Sequence, residues 1–127
     1  MTTGAEAIAV RLRAAFEVRD PALLAPLLAD DVRWGDDDNP NRCRNRGQVL
    51  DRLTFAVGAG GIDAEIGDMV AGRHGILCPL VLHRPTGPAE PIFHVYMVRD
   101  DRITEIRRYD DRPSAAEAAG LDEPPRA

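Results

Sequence analysis

Ile92-Phe-His-Val-Tyr-Met-Val98, Arg99-Asp-Asp-Arg102 and Ile103-Thr-Glu-Ile-Arg-Arg-Tyr-Asp-Asp111 read, in that order, as a strand, a tight turn and a returning strand. The period-2 alternation of both arms and the short polar link between them are the marks of a β-hairpin. Successive strand side chains point to opposite faces, so Ile92, His94 and Tyr96 share one face while Phe93, Val95 and Met97 share the other. On the returning strand, Arg108 and Asp110 form a candidate pair neighbouring His94 and Tyr96. Tyr109 points the other way. Titratable groups gathered on one sheet face are how a pocket is built.

Upstream of the hairpin, Gly75 to His83 and Ile62 to Val70 read as further strands, joined through the Gly72 region and through Pro85 to Pro91. The N-terminal half is helical in pattern. Ile8, Leu12, Ala15 and Phe16 recur at helical spacing within Ala5 to Arg19. Asp20-Pro21 supplies an N-cap and a first-turn proline for a second helix, Ala22 to Ala29, carrying Leu23, Leu24, Leu27 and Leu28. Val32-Arg-Trp-Gly-Asp36 is a short strand, and Asp36 to Asn45 is a polar loop. Gly47 to Val57 forms a third helix, closed by Gly58-Ala-Gly-Gly61. Pro113 to Gly120 makes one or two helical turns, and the last residues fray. Helices first and antiparallel strands after them make an α+β chain, one domain over residues 1–119 with a short flexible tail at 120–127. The helices gather on one face of the sheet.

Composition narrows the class of partner. The chain has 127 residues, a net charge of -5 and 44% hydrophobic residues, which suits one globular domain. The basic residues are dispersed and no basic stripe interleaved with aromatics occurs, which argues against nucleic acid. All 16 basic residues are arginine, so lysine Schiff-base chemistry is closed to this chain. No apolar run approaches the ~20 residues of a membrane span, and the N-terminus lacks the pattern of a signal peptide. Cys43 and Cys78, far apart and outside any CxxC, read as reduced cysteines of a cytoplasmic protein. His74, His83 and His94 match no metal-ligand spacing, and no cofactor motif is present, so neither a metal nor a cofactor is called for.

The ordered segments Asp20-Pro-Ala-Leu-Leu, Leu28-Ala-Asp-Asp-Val-Arg-Trp34, Arg46-Gly-Gln-Val-Leu50 and Arg102-Ile-Thr-Glu-Ile-Arg-Arg-Tyr-Asp110 resemble the SnoaL-like branch of the nuclear transport factor 2-like superfamily. The resemblance spans Ala5 to Ala119. It implies a cone-shaped, cystatin-like fold, with three N-terminal helices packed on a curved mixed or antiparallel sheet around a cavity. It also implies frequent homodimers through the outer sheet face, where Phe93, Val95 and Met97 would form an exposed patch. The superfamily holds polyketide cyclases, steroid isomerases, epoxide hydrolases and non-catalytic binding domains, so the fold alone does not name a reaction.

By the same resemblance, Asp36 falls where the isomerase branch keeps its proton-shuttling carboxylate. Asp36-Asp37-Asp38 is equally a plain solvated turn. His94 registers with an oxyanion-donor position of that branch, and an imidazole can donate there. Leu12 stands where that branch places a tyrosine donor, which speaks against steroid isomerisation. Arg108 stands where cyclases and epoxide hydrolases hold an acid/base aspartate. An arginine stays protonated and instead anchors carboxylates, with Asp110 as the alternative acid/base. Two readings follow. In one, the chain is a proton-transfer enzyme on an apolar, oxygenated small molecule, with Asp36 as base, His94 and Tyr96 as donors and Arg108 as anchor. Leu12, Phe16, Trp34 and Val98 line its pocket. In the other, the same cavity is a non-catalytic binding or dimerisation module.

Overall fold

The computed structural model describes residues 4–18, 20–35, 43–57, 63–83 and 86–121. The elements run α1 (Gly4–Val18), two 3-10 turns (Pro21–Leu23 and Ala25–Leu27), β1 (Leu28–Trp34), α2 (Arg46–Val57), β2 (Asp63–Ile66), β3 (Val70–Ala71), β4 (Gly75–His83), β5 (Glu90–Arg99), β6 (Arg102–Tyr109) and α3 (Arg112–Ala119). Strand order is β1-β6-β5-β4-β2, with β3 also paired to β4. All pairings are antiparallel except β1 on β6, which is parallel, so the sheet is mixed.

The hairpin forms as its alternation requires. Asp100 and Asp101 both take positive φ, at 52° and 62°, as the two centres of a type I′ turn must. Aspartate tolerates this left-handed conformation better than most residues, though at a cost. Val98 faces Ile103 and Met97 faces Glu105, so Thr104 is an extra bulge residue on β6, its hydroxyl donating to the Met97 carbonyl at 3.4 Å.

The expected second helix is absent. Pro21 and Pro26 each remove a backbone donor from a short segment, which closes instead as two 3-10 turns. β1 then begins at Leu28 rather than Val32, and Leu28 and Val32 are buried on its inward face. The expected strand from Ile62 to Val70 is broken at Gly67–Met69 into β2 and β3.

Two cores sit on opposite faces of the sheet. The larger packs Ile8, Leu12 and Ala15 of α1 and Val49 of α2 against Ile76, Cys78, Tyr96 and Ile106. The smaller packs Ala115 and Ala119 of α3 against Leu77 and Val95, with Phe93, Met97 and Tyr109 around them. All helices on one face is therefore incorrect: α3 covers the outer face. The patch expected to lie bare there is covered too, with Val95 fully buried and Phe93 and Met97 partly so. Alanine leaves no room between a helix and a sheet, so an Ala-rich two-turn helix can approach closely.

Local chemistry holds each helix in place. Asn45 caps α2, accepting from the Gln48 N–H at 2.9 Å, while the Gln48 side chain accepts from the Arg44 N–H at 2.7 Å. Asp111 caps α3 by accepting from the Ser114 N–H at 2.8 Å, and Gly120 ends it in the left-handed conformation at φ 78°. The end of α3 is tied to the β3–β4 connection, where the His74 N–H donates to the Ala119 carbonyl at 2.9 Å. Cys43 and Cys78 are both buried and unlinked. Among the described residues no helix is long and apolar enough to cross a membrane.

Candidate functional site

β1 stops at Trp34, opposite Ile106, while β6 continues through Arg107, Arg108 and Tyr109. The step left at the sheet edge opens a cleft of about 680 Å³. Its inner wall carries Trp34, His94, Ile106 and Arg108, with Arg52 reaching in from α2. Arg33, Glu105, Arg107 and Tyr109 come from the alternate positions of the same two strands and form the outer wall.

Strand register explains which groups meet. His94 on β5 lies directly opposite Arg108 on β6 and Cys78 on β4, so the three share the inner face. One pleat along, Tyr96 pairs with Ile76 and Ile106. The Trp34 and His94 rings meet edge-on with centroids 5.5 Å apart, and His94 and Tyr96 do the same at 6.3 Å. Edge-to-face contact is the favoured aromatic geometry. The Arg52 guanidinium lies over the Trp34 ring, 5.2 Å from its centroid.

Burial first, and the neighbouring Arg108 charge second, together lower the His94 imidazole to about 4. His94 is therefore neutral at pH 7, with one ring N–H to donate and one nitrogen to accept. Tyr96 is 2% exposed, and burial raises its phenol well above the ordinary value, with Cys78 adding to the shift, so it stays protonated. The Cys78 thiol is pushed up to about 12 by burial, which Arg13 opposes only partly. A thiol so held is no nucleophile at neutral pH.

Arg108 donates from one terminal nitrogen to Glu90 at 2.9 Å, and its Nε lies 3.8 Å from the Asp110 carboxylate. Arg107 is paired with Glu105, and hydrogen bonds with Tyr109 and Glu105 raise its pKa.

Of the residues singled out in the sequence, the fold brings Trp34, His94 and Arg108 to one cleft. Tyr96 lies behind His94 within the core, and Leu12, 1% exposed, is core as well. Phe16 and Val98 are partly buried against that core and are not among the cleft-lining residues. Asp110 is not among the cleft-lining residues; its side chain is 87% exposed and lies beside Arg108. Asp36 lies outside the described residues; the residue before it, Gly35, is in the cleft wall. Arg33 and Arg52 were missed by sequence reasoning. The parallel pairing of β1 with β6 is what brings Arg33 there, and no local pattern announces such a pairing.

The comparisons agree with this architecture. Among solved structures, a nuclear transport factor 2-like protein of unknown function from Mesorhizobium loti superposes with a TM-score of 0.70 at 17% identity, covering 86% of this chain and 92% of that one. A steroid delta-isomerase from Pseudomonas aeruginosa gives 0.70 at 14% identity, with coverage of 94% and 88%. An LEH-like epoxide hydrolase of M. tuberculosis gives 0.62 at 22% identity, with coverage of 93% and 90%. Identities this low establish the nuclear transport factor 2-like fold and nothing about chemistry. No curated protein matches the chain. The family profile described as the SnoaL-like domain matches residues 9–106, and the chain, with its mixed sheet and helix-covered inner face, belongs to that family.

Proposed function

We propose that this chain is a small-molecule pocket protein that moves a proton on an apolar, oxygenated metabolite bound between Trp34 and His94. The observation that carries the reading is a neutral His94 set against an aromatic wall and opposite a fixed cation, Arg108. A neutral imidazole N–H can donate to a carbonyl oxygen as charge develops on it, and Arg108 reinforces that charge at the same end. Asp36, next to Gly35 in the chain, is the proposed base, with Asp110 as the alternative. Tyr96 contacts the back of the His94 ring and serves as its support, a protonated phenol in dry surroundings. No cofactor is needed for such a step.

The test is solvent-deuterium exchange at carbon, screened by NMR over small cyclic ketones and enones. Protein should accelerate exchange for at least one of them, and His94→Ala should slow it by about 100-fold with the fold intact. No exchange with any compound, together with binding unchanged in His94→Ala, defeats the reading.

A non-catalytic binding module is the second reading. What favours it is that Glu90 and Asp110, the carboxylates beside Arg108, are already engaged with it. We also propose homodimerisation through the outer face. α3 fills the centre of that face, so a partner would meet α3 and the rim of Phe93, Met97 and Tyr109. Light scattering at micromolar concentration tests it, and a monomer mass refutes it. A reducing, cytoplasmic setting suits the two buried, unlinked cysteines.

A further inference from the structure

We infer that the ligand of this cleft carries a carboxylate, held at the guanidinium rim while its apolar body lies on Trp34 and Ile106. This rests on the cleft reading above and deepens it. The chain as a whole is acidic, at -5. Among the described residues the cleft reverses that sign: Arg33, Arg52, Arg107 and Arg108 line it, against Glu105. Among the described residues, and counting Glu90 and Asp110, which flank Arg108, four guanidiniums face three carboxylates. A cleft with low-dielectric walls focuses such a field and concentrates the opposite charge.

Geometry favours a planar anion. Arginine presents a rigid fork that matches a carboxylate, and two of these arginines already hold one, Arg108 with Glu90 and Arg107 with Glu105. Arg108 uses one terminal nitrogen for Glu90 and turns Nε towards Asp110, and its other terminal nitrogen has no partner among the described residues. The Arg33 side chain, exposed on the outer wall, has no ion-pair partner among the described residues either. Two guanidiniums with donors to spare thus stand at the edge of an aromatic surface. A small molecule with an apolar ring and one carboxylate satisfies both parts of the site.

Trp34 is the only tryptophan of the chain, so its fluorescence reports on this cleft alone. The experiment titrates the intact protein with benzoate, with benzamide as its neutral counterpart of similar shape, and with inorganic phosphate. Benzoate should change the fluorescence saturably, bind at least about tenfold tighter than benzamide, and weaken as salt is raised. Arg33→Gln should weaken benzoate by about tenfold and leave benzamide alone, with circular dichroism showing the fold kept. Equal binding of benzoate and benzamide overturns the inference while leaving the proton-transfer reading standing. Saturation by phosphate but not by benzoate overturns it in favour of a phosphorylated ligand. Silence of Trp34 towards all three probes overturns the inference and the cleft reading together.

Discussion

His94 and Arg108 face each other across β5 and β6, each the register partner of the other, on the face that opens into the cleft. The imidazole is lowered to about 4 by burial first and by this cation second. Arg108→Gln removes the second cause and should raise the His94 pKa part of the way towards 6.5, without restoring it. A ring-proton NMR titration checks this, and an unchanged His94 pKa would show that Arg108 does not act on it.

The same shift makes stability depend on pH. The unfolded chain takes up the His94 proton near 6.5 and the folded chain near 4, so the unfolded state binds more protons between those values. The contribution of neutral His94 is therefore complete above about 6.5 and is lost as pH falls towards 4. Urea midpoints measured across this window should fall less steeply for His94→Gln than for the wild type. Parallel slopes would mean the imidazole titrates normally.

α3 should be sensitive to the smallest additions. A Cβ at Gly72 would collide with the Ala119 carbonyl oxygen and lie 2.9 Å from its carbon. Both atoms are backbone, so neither can swing aside. Gly72→Ala should cost about 1–3 kcal/mol. Leu77→Ala, which empties the fully buried contact under α3, should cost about 2–5 kcal/mol. Chemical denaturation measures both.

At the hairpin turn the expected change has the opposite sign. Asp100 sits at φ 52°, where asparagine is preferred at the first centre of a type I′ turn, so Asp100→Asn should stabilise by a few tenths of a kcal/mol to about 1 kcal/mol. Asp101→Gly should gain less than its φ of 62° suggests. The Asp101 carboxylate lies against Gly4, at the positive end of α1, and glycine forfeits that attraction. Denaturation midpoints of the two variants rank the two terms.

These cases show where sequence reasoning succeeds. β4 and the hairpin follow from alternation and turn chemistry, which are local, so Gly75–His83 and the shared face of His94 and Tyr96 could be read directly, while Arg108 was a candidate neighbour whose facing the register supplies. Leu23, Leu24, Leu27 and Leu28 look like a helix face by spacing. Yet Pro26 cannot donate within a helix, and Leu28 has more to gain beside Ile103 in the sheet. The position of α3 was hidden for another reason. A run of alanines has no face that names its partner, and only the burial of Leu77 and Val95 reveals it. The cleft was half visible: His94 by strand phase, Trp34 and Arg108 through the family resemblance, and Arg33 only once β1 lay parallel to β6.

The cleft between Trp34 and His94 is where a small molecule is expected to bind. Chemical-shift mapping of the labelled protein against the same cyclic ketones and enones tests this most directly. The Trp34 indole N–H and the His94 ring protons should be the first to move, and should move together with the Arg108 side chain. Shifts confined to other parts of the fold, with Trp34 and His94 unmoved at saturation, would contradict it.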